Sequence, residues 1–381
     1  MNPAWKNQIV QGDALAKLRE LPSGIAHTCI TSPPYWRKRD YHVEGQIGLE
    51  ATPEEFLEKL VVICREIRRV LRADGTAWIN IGDSFITDPV PPGYKRKDLA
   101  MIPDQLALAL RRDGWWLRSK IVWYKSTAMP EPVKDRPSNC YEYILLLAKS
   151  EHYFYDADSI REPLKAKTLT TYGCKVHPVT NDDLGKIKAA NWSQSITERR
   201  PRLNEHGEIA GANKKDVWVV AAHQYQGQHN ATFAPALIDP CVLAGSSPRA
   251  CEQCGAPWCR QTHMIGSTWQ ERKAAGSILR HGLQGIKGTG TSVGSLGSPA
   301  STTTGWEPTC QCEMQGQGRC VILDPFMGAG TTALVALKHG RDYIGIELNA
   351  ETIREAQSRI ATVQPEIWTV EAQGAGKDTV A

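Results

Sequence analysis

Two short segments of this 381-residue chain combine residue types that could bind a nucleoside and act on an amine. The first is the run VILDPFMGAGTT from Val321 to Thr332, which predicts a strand, a glycine-rich turn and a helix start. Gly328 and Gly330 would let the backbone approach a ligand closely and would present amide groups at the helix amino terminus. Glu347 follows the next predicted strand, where an acid can bind ribose hydroxyls.

The second segment is TSPPYW, from Thr31 to Trp36, which stands at the carboxyl end of another predicted strand. Two consecutive prolines cannot belong to a central strand, so they predict a rigid turn. Such a turn would orient the Ser32 hydroxyl and the Pro33 carbonyl as hydrogen-bond acceptors beside the ring of Tyr35. Acceptors next to a stacking ring suit a planar base that carries an amino group. Trp36 is the tryptophan to test for base stacking.

A third group of reactive residues is formed by cysteines, of which the chain has 11. Cys251 and Cys254 form a CxxC pair, and Cys310 and Cys312 form a CxC pair. Four thiolates suit a tetrahedral zinc ion, and an all-sulfur site predicts a structural metal because a catalytic zinc keeps an open position. The spacing departs from that of a standard zinc ribbon, so reduced thiols and disulfides remain alternatives.

Helices and strands alternate along the first 150 residues, and the same alternation returns from Cys320 onward. This order predicts a Rossmann-like, doubly wound α/β sheet. Within it, the run DLAMIPDQLALALRR predicts a helix from Asp98 to Arg112. The Gly/Ser/Thr-rich stretch from Gly285 to Gly305 predicts a flexible loop. Asp83, after a strand, is expected to cap a turn rather than to act in catalysis.

TSPPYW, LDPFMGAGTT and GIELN together resemble the S-adenosylmethionine-dependent DNA amino-methyltransferases. The PPY segment precedes the glycine-rich segment, which is the motif order of the beta class of that family. Matching segments extend over roughly residues 8–165, 216–245 and 320–362, about two thirds of the chain. Because the resemblance rests on two motifs in the expected order, it predicts both the cofactor and the reaction.

The resemblance also assigns individual residues. The catalytic turn would consist of Ser32, Pro33, Pro34 and Tyr35. Asp13 would bind the adenine amino group of the cofactor and Glu347 its ribose. The rest of the cofactor pocket would be formed by Thr31, Asp324, Phe326, Gly328, Gly330, Thr331, His229 and Phe233. For His229, a purely structural role is an equal alternative.

The domain organisation follows from the same comparison. Residues 1–165 would form the catalytic part of the methyltransferase domain, 216–245 a return to it, and 320–381 its cofactor-binding part. Residues 166–215 would be a target-recognition insertion, and residues 246–319 a cysteine-containing insertion for zinc binding and DNA recognition. Residues 161–216 hold 11 Lys and Arg against 7 Asp and Glu, as expected near phosphates, although an ordinary solvated surface would show the same excess.

The predicted function is methyl transfer from S-adenosylmethionine to the exocyclic amino group of a base flipped out of double-stranded DNA. Cytosine N4 is favoured over adenine N6 because SPPY is commoner in the cytosine group. An RNA or small-molecule methyltransferase and an inactive DNA-binding protein are the alternatives from other classes. The sequence leaves open a cognate restriction endonuclease and a homodimer. It contains no predicted membrane span or export signal, so we expect a cytoplasmic enzyme.

Overall fold

The computed structural model describes residues 5–128, 130–162, 212–222, 233–265, 300–313 and 318–362. His229 and nearly all of the predicted 166–215 insertion lie outside these residues. The chain divides into two units. The first comprises residues 1–156, 215–258 and 308–381, and the second comprises residues 157–214 and 259–307.

The strands of a large sheet and of a two-stranded sheet alternate with six helices in the described part of the chain. The strands are β1 Gln8–Gln11, β2 Ala26–Thr31, β3 Leu71–Ile81, β4 Trp116–Tyr124, β5 Tyr141–Ala148, β6 Val217–Val219, β7 Cys259–Ile265, β8 Ala300–Glu307, β9 Val321–Asp324 and β10 Asp342–Glu347. The helices are α1 Ala14–Glu20, α2 Pro53–Val70, α3 Ile102–Arg112, α4 Pro235–Gly245, α5 Thr331–Lys338 and α6 Ala350–Ile360.

The first unit is built on an eight-stranded sheet with the order β1-β10-β9-β2-β3-β5-β4-β6. β5 pairs antiparallel with both of its neighbours, and every other neighbouring pair is parallel. The predicted α/β class is therefore confirmed. Since β2 and β9 are adjacent and parallel, the segments that follow them leave the sheet at the same edge, where open α/β sheets bind ligands.

Helices cover both faces of this sheet, as alternate residues of β3 demonstrate. Ile79 belongs to the core that contains the buried side chains of α2 and α3. The neighbouring side chain, Trp78, points to the opposite face because strand residues alternate. There its indole nitrogen lies beside Gly245 at the end of α4, where a Cβ atom would meet it at 2.9 Å. The sheet is thus doubly wound, as predicted.

Two local predictions are wrong. The helix predicted from Asp98 begins at Ile102, because residues 98–100 extend alongside residues 84–86 and Met101 adopts a left-handed conformation. The flexible loop predicted from Gly285 to Gly305 is wrong for its last residues, because β8 begins at Ala300 and pairs antiparallel with β7 in the second unit. Residues 285–299 of that prediction lie outside the described part of the chain. A run of Ser and Thr has few apolar groups, but its β-branched threonines favour a strand once a partner is present.

Among the described residues, no helix is both long and apolar enough to cross a membrane.

Candidate active site and cysteine cluster

A pocket of about 940 Å³ opens at the carboxyl edge of the sheet, where the two motif-bearing segments meet. Both segments contribute to its wall although almost 300 residues separate them in sequence. The predicted site residues that line it are Asp13, Ser32, Pro33, Pro34, Tyr35, Phe233, Phe326, Gly328, Thr331 and Glu347. The pocket volume is at the upper end of the range for small-molecule sites, as expected if a cofactor and a base enter together.

The glycine-rich turn forms one end of this pocket. Gly328 adopts φ +52°, and its N–H donates to Glu347 Oε2 at 2.9 Å. The other carboxylate oxygen of Glu347 accepts from the N–H of Asn349 at 2.9 Å. Gly330, with φ +79°, precedes the first residue of α5, so the amino terminus of that helix points toward the pocket. Carboxylates can accept hydrogen bonds from hydroxyl and amino groups, and a helix amino terminus favours a carboxylate. Together they fit a nucleoside that carries an amino-acid tail.

Asp13 lines the same pocket and also caps a helix. One of its carboxylate oxygens accepts from the N–H of Ala16 at 2.9 Å, so the side chain caps α1. The residue is exposed and lines the pocket. A cap of this kind restricts the orientation of the Asp13 side chain at the start of α1.

Thr31 and Asp324 lie beneath the pocket rather than in its wall. Asp324 is 1% exposed and accepts from the Thr31 hydroxyl at 2.6 Å, from the Thr332 hydroxyl at 2.6 Å and from the Phe326 N–H at 3.0 Å. These bonds join the ends of β2 and β9 and the first turn of α5. The structure thus brings both predicted residues together as a brace behind the two motifs.

Burial also makes Asp324 a source of pH-dependent stability. Loss of hydration raises its pKa to about 6, against the opposing effect of the hydrogen bonds from Thr31 and Thr332. The folded chain therefore binds a proton that the unfolded chain releases near pH 4, so stability falls as the pH rises from 4 to 6. Relative to Asp324→Asn, the parent should lose about 3 kcal/mol of unfolding free energy between pH 4 and pH 7. Urea unfolding of both proteins across this range measures the difference, and parallel pH curves would contradict the assignment.

The SPPY turn forms the other end of the pocket and contacts a polar network. The Tyr35 hydroxyl donates to Glu142 Oε2 at 2.7 Å and accepts from Asn80 Nδ2 at 2.7 Å. Asn80 Nδ2 also reaches Glu142 Oε2 at 2.9 Å. Ser32 Oγ lies 3.4 Å from the Tyr35 hydroxyl and 3.5 Å from Asn80 Nδ2. Lys125 forms an ion pair with the second oxygen of Glu142.

The Tyr35 ring is held by packing as well as by these hydrogen bonds. A Cβ atom at Gly82 would lie 2.8 Å from Tyr35 Cε2 and 3.1 Å from Cδ2, so only glycine leaves room for the ring. Burial and the neighbouring Glu142 carboxylate raise the pKa of the Tyr35 hydroxyl well above its usual value, so it stays protonated. The ring and its hydroxyl therefore have one defined position.

Trp36, the tryptophan singled out for a test of base stacking, does not line the pocket. Its side chain is 1% exposed, and its indole N–H donates to the Glu50 carbonyl at 3.0 Å. Asp83 behaves as expected for a cap. It accepts from the N–H groups of Ser84 at 2.8 Å and Ile102 at 3.0 Å, the latter at the start of α3.

Sequence reasoning missed several polar residues of the pocket, among them Asn80, Lys125 and Glu142, which contact the SPPY turn or its network. Asn80 is a polar residue inside the buried run AWINI, which is a usable signal because buried polar groups need partners. Glu142 stands at the amino end of β5, which runs antiparallel and therefore begins beside the carboxyl end of β3. That placement depends on the direction of one strand, which the sequence pattern does not reveal.

The four predicted metal-ligating cysteines come together in the first unit. The sulfur atoms of Cys251, Cys254, Cys310 and Cys312 all lie within 4.8 Å of one another. None of these cysteines forms a disulfide in the structure. Four sulfurs at such separations can surround one tetrahedral ion, since zinc–sulfur bonds of about 2.3 Å place the ligands roughly 3.8 Å apart.

The cysteine cluster lies near the edge of the sheet opposite to the pocket. His27, the second residue of β2, contacts the Gly255 carbonyl through Nε2 at 2.8 Å and accepts from the Val321 N–H through Nδ1 at 2.9 Å. Arg72 donates to the Cys254 carbonyl at 3.1 Å. Both β2 and β9 have their amino ends here, so the cluster is remote from the SPPY turn.

The chain is similar in sequence to a known protein family over most of its length. The DNA methylase family model matches residues 26–251 and 317–358, more than half of the chain. The chain is 32% identical to the Type II methyltransferase M.XycI of Xanthomonas campestris pv. cyanopsidis over 92% of its own length and 87% of that protein. This chain belongs to the S-adenosylmethionine-dependent DNA amino-methyltransferases. The predicted family is confirmed.

Other members of the family cover the chain to a similar extent. The Type II methyltransferase M.SmaI of Serratia marcescens is 30% identical over 93% of this chain and 90% of its own length. The solved structure of PvuII DNA methyltransferase (cytosine-N4-specific) superimposes with a TM-score of 0.51 at 13% identity, covering 95% of this chain and 88% of the other. That likeness shows the shared amino-methyltransferase fold. Because the chain belongs to this family, the enzyme methylates an amino group of DNA, at cytosine N4 or adenine N6.

Proposed function

We propose that this DNA amino-methyltransferase methylates the N4 amino group of a cytosine flipped out of duplex DNA. The observation that carries the proposal is the meeting of the SPPY turn and the glycine-rich turn in one pocket. In this pocket, a methyl donor bound at the glycine-rich turn would lie within reach of acceptors suited to an amine. Adenine N6 is the alternative target.

The residues of the SPPY turn would act on the charge of the amine. The exocyclic amine is a poor nucleophile because its lone pair is delocalised into the ring, and positive charge grows on nitrogen as the new bond forms. S-adenosylmethionine, when bound, supplies an electrophilic methyl group. The Ser32 hydroxyl and the Pro33 carbonyl would accept hydrogen bonds from the amino protons and stabilise that charge, a use of preorganised acceptors. Pro33 and Pro34 keep these acceptors rigid.

The cofactor would lie between the glycine-rich turn and Asp13. Glu347 would accept from the ribose hydroxyls, Asp13 from the adenine amino group, and the segment from Phe326 to Thr331 would contact the methionine end. Thr31 and Asp324 would support this segment from below without touching the ligand.

A base inside a duplex cannot reach a pocket at the end of a sheet, so the target must be flipped out. The Tyr35 ring, fixed at Gly82, would provide the stacking surface. We propose that the 166–215 and 246–319 insertions supply target recognition, because both carry excess positive charge outside the segments that form the pocket. The Type II designation of the relatives supports a role as the modification enzyme of a restriction-modification system.

The choice of cytosine rests on the motif. SPPY is commoner among cytosine-N4 enzymes and DPPY among adenine-N6 enzymes, and position 32 is serine. A neutral serine stabilises the developing charge less than an aspartate would, so another pocket group must contribute.

The substrate class can be tested with cofactor labelled with tritium in its methyl group. We expect label to enter duplex DNA and not RNA of the same base sequence. Label in RNA alone, or DNA binding without any label, would contradict the proposal.

We also propose that the cysteine cluster binds one structural zinc ion. The two cysteine pairs flank the segment 255–309. A metal bound by all four would therefore connect both ends of that segment. All four ligands would be thiolates, which leaves no open position for substrate. The position of the cluster near the amino ends of β2 and β9 separates it from methyl transfer.

Protein purified without chelator should contain about one zinc per chain. Cys310→Ser should lower the zinc content and the melting temperature, whereas Cys140→Ser, a change of the same type outside the cluster, should keep one zinc. Elemental analysis and thermal unfolding measure both effects. A folded parent protein without zinc would overturn the proposal.

A further inference from the structure

We propose that Glu142 is the final acceptor of the proton that the target amine releases, and that the Tyr35 hydroxyl carries this proton from Ser32. The inference rests on the proposed function and assigns a general base to it. A methylated amine that still holds all its protons is a strong acid. The proton therefore needs an acceptor within the pocket, because the bound nucleobase and cofactor exclude water from it.

The hydrogen bonds of the SPPY turn point to Glu142. The Ser32 hydroxyl faces the Tyr35 hydroxyl at 3.4 Å, and that hydroxyl donates to Glu142 Oε2 at 2.7 Å. Among the described residues, Glu142 is the carboxylate whose side chain contacts a side chain of this turn. Its side chain is only 14% exposed. The turn itself contains no carboxylate, so Glu142 supplies what serine at position 32 lacks.

Two neighbours prepare Glu142 for this role. Lys125 pairs with Oε1, which leaves Oε2 to accept from Tyr35. Asn80 donates its amide protons to both Tyr35 and Glu142 Oε2, so it fixes their positions and cannot accept the proton itself. The reverse orientation of the Asn80 amide would place its oxygen against the carboxylate oxygen.

The transfer balances in atoms and charge. The carbon–nitrogen bond forms as the carbon–sulfur bond of S-adenosylmethionine breaks, so the sulfonium charge passes to the amine nitrogen. That nitrogen gives a proton to Ser32 Oγ, the Ser32 proton moves to the Tyr35 oxygen, and the Tyr35 proton moves to Glu142 Oε2. The products are a neutral methylated amine, S-adenosylhomocysteine and a protonated Glu142, which later loses its proton to solvent.

Single-turnover methylation of duplex DNA by the full-length enzyme tests the relay through three variants. Tyr35→Phe keeps the stacking ring and removes the relay hydroxyl, and Glu142→Gln keeps the size of the side chain and removes the base. Each should lower the rate constant about 100-fold near pH 7. The double variant should be no more than about threefold slower than Glu142→Gln, because both changes interrupt one path.

A control and a pH profile separate the relay from simple support of the pocket. Glu54→Gln removes a carboxylate that also accepts from a tyrosine hydroxyl, that of Tyr94 at 2.6 Å, but does not line the pocket, and it should keep the parental rate. The rate of Glu142→Gln should rise with pH as hydroxide replaces the missing base, while cofactor and DNA binding stay at parental values. A parental rate in Glu142→Gln, or multiplying effects in the double variant, would overturn the relay. An inactive parent enzyme would instead overturn the proposed function.

Discussion

Replacing Gly328 by valine should abolish cofactor binding, with the dissociation constant for S-adenosylmethionine raised at least about 100-fold. Gly328 has φ +52°, a conformation that costs a β-branched residue about 1–3 kcal/mol. Its N–H also holds the Glu347 carboxylate at 2.9 Å, so movement of this turn would displace the proposed ribose ligand. Gly328 also lines the pocket, so a valine there would change the pocket wall. Calorimetric titration measures the loss.

Gly24→Val is the matched control for this change. Gly24 has φ +70°, so valine meets similar backbone strain there, but a Cβ atom would find no heavy atom within 4 Å. Gly24 lies in the turn before β2, away from the pocket. We expect this variant to fold less stably and to bind the cofactor like the parent. Parental affinity in Gly328→Val would refute the placement of the cofactor at the glycine-rich turn.

Replacing Ser32 by alanine should lower the rate of methyl transfer about 100- to 1,000-fold, the effect of removing one preorganised hydrogen-bonding group at a developing charge. The Ser32 side chain is half-buried at the opposite end of the pocket from Glu347, so the affinity for S-adenosylmethionine should change little. The relay would also lose its first member. Single-turnover rates and cofactor titration of the same preparation measure the two effects separately.

Ser23→Ala provides the comparison for Ser32→Ala. Ser23 is exposed, accepts a hydrogen bond from Arg69 at 3.1 Å and does not line the pocket. We expect parental rates in this variant. A Ser32→Ala enzyme that methylates DNA at the parental rate would remove the catalytic role of the Ser32 hydroxyl.

Local sequence signals predicted the parts of the site that depend on backbone conformation. Glycines with positive φ at 328 and 330, and the prolines at 33 and 34, impose turns on any chain that contains them. Strand and helix periodicity predicted most elements of the sheet. The two turns then meet because β2 and β9 pair in parallel, with Cys29 beside Leu323.

Long-range packing decided what the sequence pattern could not predict. Asp324 and Glu347 both have a carboxylate side chain, but only Glu347 lines the pocket. The Asp324 carboxylate instead accepts hydrogen bonds from the Thr31 and Thr332 hydroxyls beneath it. Trp36 adjoins the SPPY turn but has an apolar core on its other side, and burial of a large ring outweighs exposure to a ligand. Glu142 reaches the turn because β5 runs antiparallel to β3, and the direction of β5 depends on how the whole sheet is assembled.

Mass spectrometry of nucleosides from duplex DNA, incubated with S-adenosylmethionine and either the parent enzyme or Ser32→Ala, tests the central claim most directly. We predict N4-methylcytosine with the parent enzyme and a large reduction with the variant. N6-methyladenine would retain the mechanism and replace the target base. The absence of any methylated nucleoside from DNA treated with the parent enzyme would contradict the account.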